Sequence, residues 1–280
     1  MARSYLFIPG NVPSMLQHMD VYDADVIIID FEDSIAPQEK DEARHLTRAF
    51  LRAHRPKDLT ILIRINSDSD ELIKADLEAL KHLAIDGIVL PKTSTSQINA
   101  FINLIQDKTV SIYGLIETPE AFFELDAIAK HKNIKGLMLG GEDLSRFTHI
   151  DKAPLSETWH TPKTLLNFAA KVYHKEAIDT PVISDDETML SEATQVSKRF
   201  GFDGKLSIHP NQVPVINKIL SPSQSEIDDA KRIVIAHQKT NKMRFSLDGK
   251  MVDKPIIESA KRLLEKAKHY GLLGGDFDVL

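Results

Sequence analysis

"VIIIDFEDSIAPQEKDEARHLTRAFLRAH" (26–54) carries the argument for the fold in a single unit. The β-branched run 26–29 reads as a strand buried on both faces. Asp30, Glu32 and Asp33 follow at once. After Pro37, Ala43, Leu46, Ala49 and Phe50 recur near the helical period. A buried strand, an acidic loop and an amphipathic helix make one β/α unit. Acids this close repel, and burying one unpaired is costly, so a cation is expected nearby.

The same unit recurs along the chain. Short apolar runs stand at "SYLFIP" (4–9), "VIIID" (26–30), "TILIRI" (60–65) and "GIVLP" (87–91). Four more follow: "VSIYGLI" (110–116), "KGLMLG" (135–140), "AIDTPVI" (177–183) and "GKLSIHP" (204–210). Amphipathic segments lie between them, such as "ELIKADLEALKHLA" (71–84), with Leu72, Leu77, Leu80 and Leu83 near helical spacing. Eight alternating units predict a parallel (β/α)8 barrel over residues 1–220. An open doubly wound sheet is the alternative, but neither GxGxxG nor GxxxxGK[ST] is present to support its nucleotide-binding forms. Residues 221–280 form a C-terminal helical extension and lid of the same structural unit, with helices at 224–238 and 256–269. Between these helices, "RFSLDGKMVD" (244–253) reads as a hairpin turning at Asp248-Gly249.

Composition narrows the function. With 42% hydrophobic and 27% charged residues, the 280-residue chain builds a sizeable core. A net charge of -6 and the lack of any basic run argue against nucleic acid. No segment approaches the roughly 18 apolar residues of a membrane span. There is no cysteine, hence no disulfide and no thiolate metal site. With no signal peptide in "MARSYLFIPGN", the expectation is a soluble cytoplasmic protein.

Barrel enzymes carry their chemistry at the C-terminal strand ends. Those positions here hold Pro9 and Gly10; Asp30, Glu32 and Asp33; Arg64 and Asn66; Lys92; Glu117; Glu142 and Asp143; Asp179, Asp185 and Asp186; and His209. An acid-rich mouth without cysteine or paired histidines suits a hard cation, and Mg2+ typically takes one or two carboxylates plus water and substrate. Glu117 and Asp143, on neighbouring strands, are the natural pair, while Arg64 and Lys92 would offset the acids around Asp30. Each residue also has a structural reading. Glu32 and Asp33 could cap the next helix, and Arg64 could simply pair with Asp30. Glu117 could be a helix-start acid, His209 a packed or capping histidine, and Asp185 and Asp186 a solvated loop. The joint pattern favours a site.

The motifs "RSYLFIPGN", "IIDFEDSIAPQEKDEAR", "IRIN", "VLPK", "IET", "LGGEDL", "GFDGKLSIHPNQ" and "LDGKMVDKP" stand in the order of one known family. From residue 3 to about 268 the chain resembles the HpcH/HpaI aldolase and citrate lyase β-subunit family, in its citrate lyase β-like (CitE-like) branch. The resemblance implies a (β/α)8 barrel assembled as trimers or hexamers, with Mg2+ (or Mn2+) and an acyl-thioester substrate carried on coenzyme A. It implies reversible carbon–carbon cleavage of a 3-hydroxyacyl-CoA, of the citramalyl-, malyl- or citryl-CoA type, to an acyl-CoA and an α-keto acid. Carried over residue by residue, it makes Arg64 a catalytic and substrate-binding group, Glu117 and Asp143 metal ligands, and Glu32 and Asp33 partners of metal-bound water. It makes Asp253 the acid–base group, on a segment that covers a neighbouring subunit's site. Phe7, Pro9, Gly10 and Lys40 fall where the family places the carrier arm. The match is poorest from Ser145 to Asp186, which bears on substrate identity. Alternatives are a citrate lyase β subunit working on an acyl carrier protein, a thioesterase or malate-synthase-like enzyme, and a non-catalytic binding component.

Overall fold

Strand residues of alternating parity separate into two apolar layers. Tyr5, Val26, Ile28, Leu62, Val89, Tyr113, Leu115, Met138, Ile178 and Leu206 pack together in one layer. Their strand neighbours, among them Leu6, Ile8, Ile27, Ile29, Ile61, Ile63, Ile88, Ile116, Leu137 and Ala177, pack in another with the helices. Successive side chains of a strand point to opposite faces, so the first set fills a barrel interior and the second lies under a helical coat. A computed structural model describes residues 1–105, 108–240 and 242–273. In it, eight parallel strands close in sequence order. They are β1 (Ser4–Pro9), β2 (Val26–Asp30), β3 (Thr60–Arg64), β4 (Gly87–Leu90), β5 (Ile112–Ile116), β6 (Ile134–Leu139), β7 (Glu176–Asp179) and β8 (Gly204–Ser207). Pairing of β1 with β8 through Ser4–Lys205 and Leu6–Ser207 completes the ring, which rules out the open sheet.

The helices are α1 (Pro13–Gln17), α2 (Lys40–His54), α3 (Asp70–Leu80), α4 (Thr95–Leu104), α5 (Pro119–Phe123) and α6 (Leu125–Lys130). After β6 come α7 (Gly141–Thr148), α8 (His160–Val172), α9 (Glu187–Arg199), α10 (Val213–Leu220), α11 (Gln224–Thr240) and α12 (Lys254–His269). Several boundaries differ from the sequence reading for local reasons. The pattern at 71–84 yields a helix only to Leu80, because His82 takes a left-handed φ of 63°. The run 177–183 is strand only to Asp179; Pro181 has no N–H for a ladder. α12 starts at Lys254, earlier than residue 256, since Asp253 caps it and Pro255 suits its first turn.

The described chain divides into two compact units, one of Ala2–Lys218 and one of Met1 with the residues from Ile219 onward. The first is the barrel. In the second, Ile227, Ala230 and Val234 of α11 pack with Ala260, Leu264 and Ala267 of α12. The expected hairpin is there: β9 (Phe245–Leu247) and β10 (Lys250–Val252) pair antiparallel. Its turn residues Asp248 and Gly249 have φ of 51° and 76°, as a two-residue hairpin turn of this hand requires. The final residues of the predicted extension, 274–280, lie outside the described residues. Among the described residues no helix is long and apolar enough to cross a membrane.

Candidate active site

The interior parity that fills the barrel with Ile28, Leu62 and Leu115 continues upward to Asp30, Arg64 and Glu117. A cavity of about 400 Å3 opens there, with Phe7, Pro9, Asp30, Asp33, Arg64, Glu117, Gly140 and Asp143 in its lining. The cation demanded by the acids is Arg64. Its Nε and Nη2 make a fork on Asp30, at 2.7 and 2.6 Å. Its Nη1 faces Glu32 at 3.1 Å and Asp33 at 3.5 Å. The guanidinium lies 4.8 Å from the centre of the Phe7 ring. A planar fork spent on one carboxylate leaves the remaining nitrogen fixed in direction, which a lysine could not reproduce.

Asp30 does more than pair. Its oxygens accept the N–H groups of Glu32 at 2.9 Å and Ser34 at 3.0 Å, which folds the acidic loop back over β2. Burial opposes charge on Asp30, yet Arg64 and these hydrogen bonds hold its carboxyl below the usual range. Glu32 goes the other way. Burial, with Asp33 and Asp30 nearby, pushes it up to about 7 against the pull of Arg64 and Lys92. Lys92 supplies a second cation, 3.7 Å from Glu32 and 3.1 Å from Asp68.

Glu117 follows β5 and is almost wholly buried, and burial pushes it up to about 8, with Glu32 and Asp143 adding to the rise. Its Oε1 accepts the Lys92 N–H at 2.6 Å. Its Oε2 lies over Gly140, where a Cβ would come within 2.6 Å, so only glycine leaves room for the carboxylate. Asp143 sits in the first turn of α7 and is held by Arg146 at 2.8 Å. The donors are oxygens only, and the surplus of buried acid at the mouth fits a hard divalent cation. No group of three or more His, Cys, Asp or Glu side chains is arranged for a metal among the described residues. Glu117 and Asp143 are the carboxylates here that would suit a Mg2+ site of one or two protein ligands completed by water and substrate.

The other expected site residues have the following surroundings. Gly10 lines no part of the cavity; a Cβ on it would meet the Phe31 ring and the Asp30 carbonyl. Lys40 donates to Phe31 O, Glu32 O and Asn66 Oδ1, so its three N–H groups brace the acidic loop from α2. Asp253 belongs to the second unit, where it accepts the Ile256 N–H at 3.4 Å as the cap of α12. His209 caps its own turn by accepting the Asn211 N–H. Asp186 caps α9. Asp179 is not a mouth acid at all: it has the opposite parity to Ile178 and pairs, fully buried, with Lys163 and Lys205. Alternation along β7 and a lysine inside the buried strand "GKLS" were the available signals for that pair.

The whole barrel, residues 3–210, matches the model of the HpcH/HpaI aldolase/citrate lyase family. The chain belongs to this family. It is 31% identical to the citrate lyase subunit beta of Haemophilus influenzae, over 95% of this chain and 97% of that one. It is 30% identical to a (3S)-malyl-CoA thioesterase of Cereibacter sphaeroides, over 95% of this chain and 94% of the relative. Among solved structures, the CitE protein of Mycobacterium tuberculosis in complex with magnesium, acetoacetate and coenzyme A superposes with a TM-score of 0.81. That pair shares 28% identity over 95% of this chain and 98% of the other.

Proposed function

We propose that this chain is a Mg2+-dependent carbon–carbon lyase that cleaves or forms a 3-hydroxyacyl-CoA thioester. The observation that carries the reading is the arrangement of Arg64, locked on Asp30, in one cavity with Glu117 and Asp143. The relative solved with magnesium, acetoacetate and coenzyme A supports it. Glu117 and Asp143 would hold the ion. When bound, Mg2+ supplies Lewis-acid polarisation of the keto-acid carbonyl.

The chain's own residues then divide the remaining work. In cleavage the 3-hydroxyl proton passes to a carboxylate, which we assign to Asp253. The C2–C3 bond breaks, C3 becomes the keto-acid carbonyl, and the electron pair enters the thioester enolate, which takes a proton at carbon. Arg64 Nη1 stabilises negative charge on the substrate oxygen, an effect worth roughly 3 kcal/mol for a well-placed donor. Arg64 stays charged throughout, because burial is outweighed by Asp30, Glu32 and Asp33, which raise its pKa further. Phe7 and Pro9 present an apolar wall to the substrate.

Purified protein with Mg2+ and citramalyl-, malyl- or citryl-CoA should yield a keto acid and an acyl-CoA in equal amounts. No cleavage of any of them would sink the proposal. Free coenzyme A with a hydroxy acid would assign a thioesterase, the second reading that the Cereibacter relative favours. Turnover only on acyl carrier protein thioesters would align the chain with its citrate lyase relatives.

Asp253 is assigned to a neighbouring subunit's site in a homo-oligomer. Mixed Asp253→Asn and Glu117→Gln protomers should therefore regain part of the activity that each variant lacks. No recovery after verified subunit exchange would remove that assignment.

A further inference from the structure

Thr180 follows β7 and lies against Gly141, the first residue of α7. Its hydroxyl accepts the Gly141 N–H at 3.1 Å, and its carbonyl accepts Lys205 Nζ at 2.7 Å. Lys205, fully buried, lies 3.1 Å from Asp179 Oδ2, the oxygen that Lys163 reaches at 2.7 Å. The Ser197 hydroxyl donates to the same oxygen. Gly141 is closed in from a second side as well. A Cβ there would lie 2.5 Å from Thr180 Oγ1 and 3.2 Å from Trp159 Cη2. Trp159 is itself buried, its indole N–H donating to Ala153 O at 3.1 Å.

The first residue of α7 is thus clamped, and Asp143 rides two residues further on. Among the described residues the Asp143 carboxylate has only the exposed Arg146 as an ion-pair partner, so its position depends on the backbone that carries it. The Gly141 N–H is one of the unpaired donors that every helix start must satisfy.

We propose that Thr180 is a positioning residue for the metal site. Its hydroxyl, anchored through its own carbonyl to the Lys163–Asp179–Lys205 triad, fixes the start of α7 and with it the carboxylate of Asp143. The proposal rests on the reading of Glu117 and Asp143 as Mg2+ ligands. Outer partners that orient a ligand typically contribute 10–100-fold to metal affinity.

The test is Mg2+ titration calorimetry on wild type, Thr180→Val and Thr180→Ser, with thermal unfolding in the absence of metal. Valine keeps the branched shape and loses the acceptor; serine keeps the hydroxyl. Thr180→Val should weaken Mg2+ binding about tenfold while unfolding within a few degrees of wild type, and Thr180→Ser should bind as wild type does. The emission of Trp159, the only tryptophan in the sequence, should shift in the valine variant and not in the serine variant. Wild-type affinity in Thr180→Val would overturn the positioning role and leave the metal reading intact. A wild type that binds no Mg2+ would overturn the metal reading, and this proposal with it. Weakened binding in both variants alike would show a packing effect and also overturn it.

Discussion

Two charged clusters in the barrel are near inverses of each other. At the mouth, one guanidinium serves three acids: Arg64 faces Asp30, Glu32 and Asp33. Between β7, β8 and the helices, one acid serves two lysines: Asp179 takes Lys163 and Lys205. Burial opposes charge in both, and the outcome differs with the partners. In the closed cluster the lysines and the Ser197 hydroxyl hold the Asp179 carboxyl well below the ordinary range despite burial, and burial pushes Lys205 down to about 8. In the open cluster Glu32 and Glu117 are pushed up to about 7 and about 8. The lesson concerns surplus. A buried cluster with more cations than acids holds a carboxylate charged as structure, while a mouth with more acids than cations is left able to receive one more cation.

The largest effect should come from breaking the closed cluster. Asp179→Ala leaves Lys163 and Lys205 buried without a counter-ion, a change that costs about 3–5 kcal/mol. Urea unfolding would measure it at neutral pH. A loss below about 1 kcal/mol would mean that water reaches the lysines, contrary to their burial. The variant's deficit should also shrink below pH ~4, because a depressed carboxyl contributes stability above its unfolded pKa and loses it as pH falls.

At the mouth, Arg64→Lys should lower kcat/KM by about 10²-fold with little change in the unfolding temperature. A lysine can pair with Asp30 but cannot also present a directed donor to the cavity. Near-normal turnover would make Arg64 a structural twin of Lys163 and erase the contrast between the clusters. Glu117→Gln tests the same contrast through stability. A carboxyl with a raised folded pKa costs stability as pH rises from its unfolded value near 4 toward about 8. The metal-free variant should therefore be more stable than wild type at pH 8, by up to roughly 4–5 kcal/mol, and equal to it near pH 4. The opposite sign at pH 8 would show that the mouth holds Glu117 as the closed cluster holds Asp179.

The barrel was legible because its evidence is local and repeated: each β-branched run and each amphipathic segment announces itself. So were Asp30 with Arg64, since adjacent parallel strands in register put their last residues side by side. The hairpin was legible from Asp248-Gly249, where turn chemistry fixes the geometry. Asp179 was misread because position at a strand end says nothing about which face a side chain takes. Parity settles that, and parity is lost when a strand's end is misjudged, as it was at 177–183. Thr180 carried no sequence signal and Gly140 appeared only as part of "LGGEDL", since a hydroxyl acceptor and a missing Cβ matter only through what packs against them. Lys40 was read only through the resemblance, as part of the carrier arm; its partners are Phe31 and Glu32 of the acidic loop and Asn66 beyond β3, and only the fold brings them together.

The smallest expected effect concerns Arg146, which holds Asp143 at 2.8 Å from one helical turn away. The pair is on the rim, with Arg146 63% and Asp143 22% exposed, so it is worth about 0–1 kcal/mol. The guanidinium takes Oδ1 of Asp143, already lies 4.6 Å from the Phe147 ring, and would compete with a bound cation for the carboxylate's charge. Arg146→Gln should therefore tighten Mg2+ binding by up to about fivefold, the equivalent of about 1 kcal/mol. The gain should fade at high salt, which screens the rim pair in wild type as well. Calorimetric titration at low and high ionic strength separates the alternatives. Weaker binding in the variant would mean that Arg146 aims the carboxylate instead of competing for it. Asp143 would then be held from both ends, by Arg146 on its own helix and by the clamp on Gly141, and the mouth would be as fully braced on this side as Arg64 is on the other.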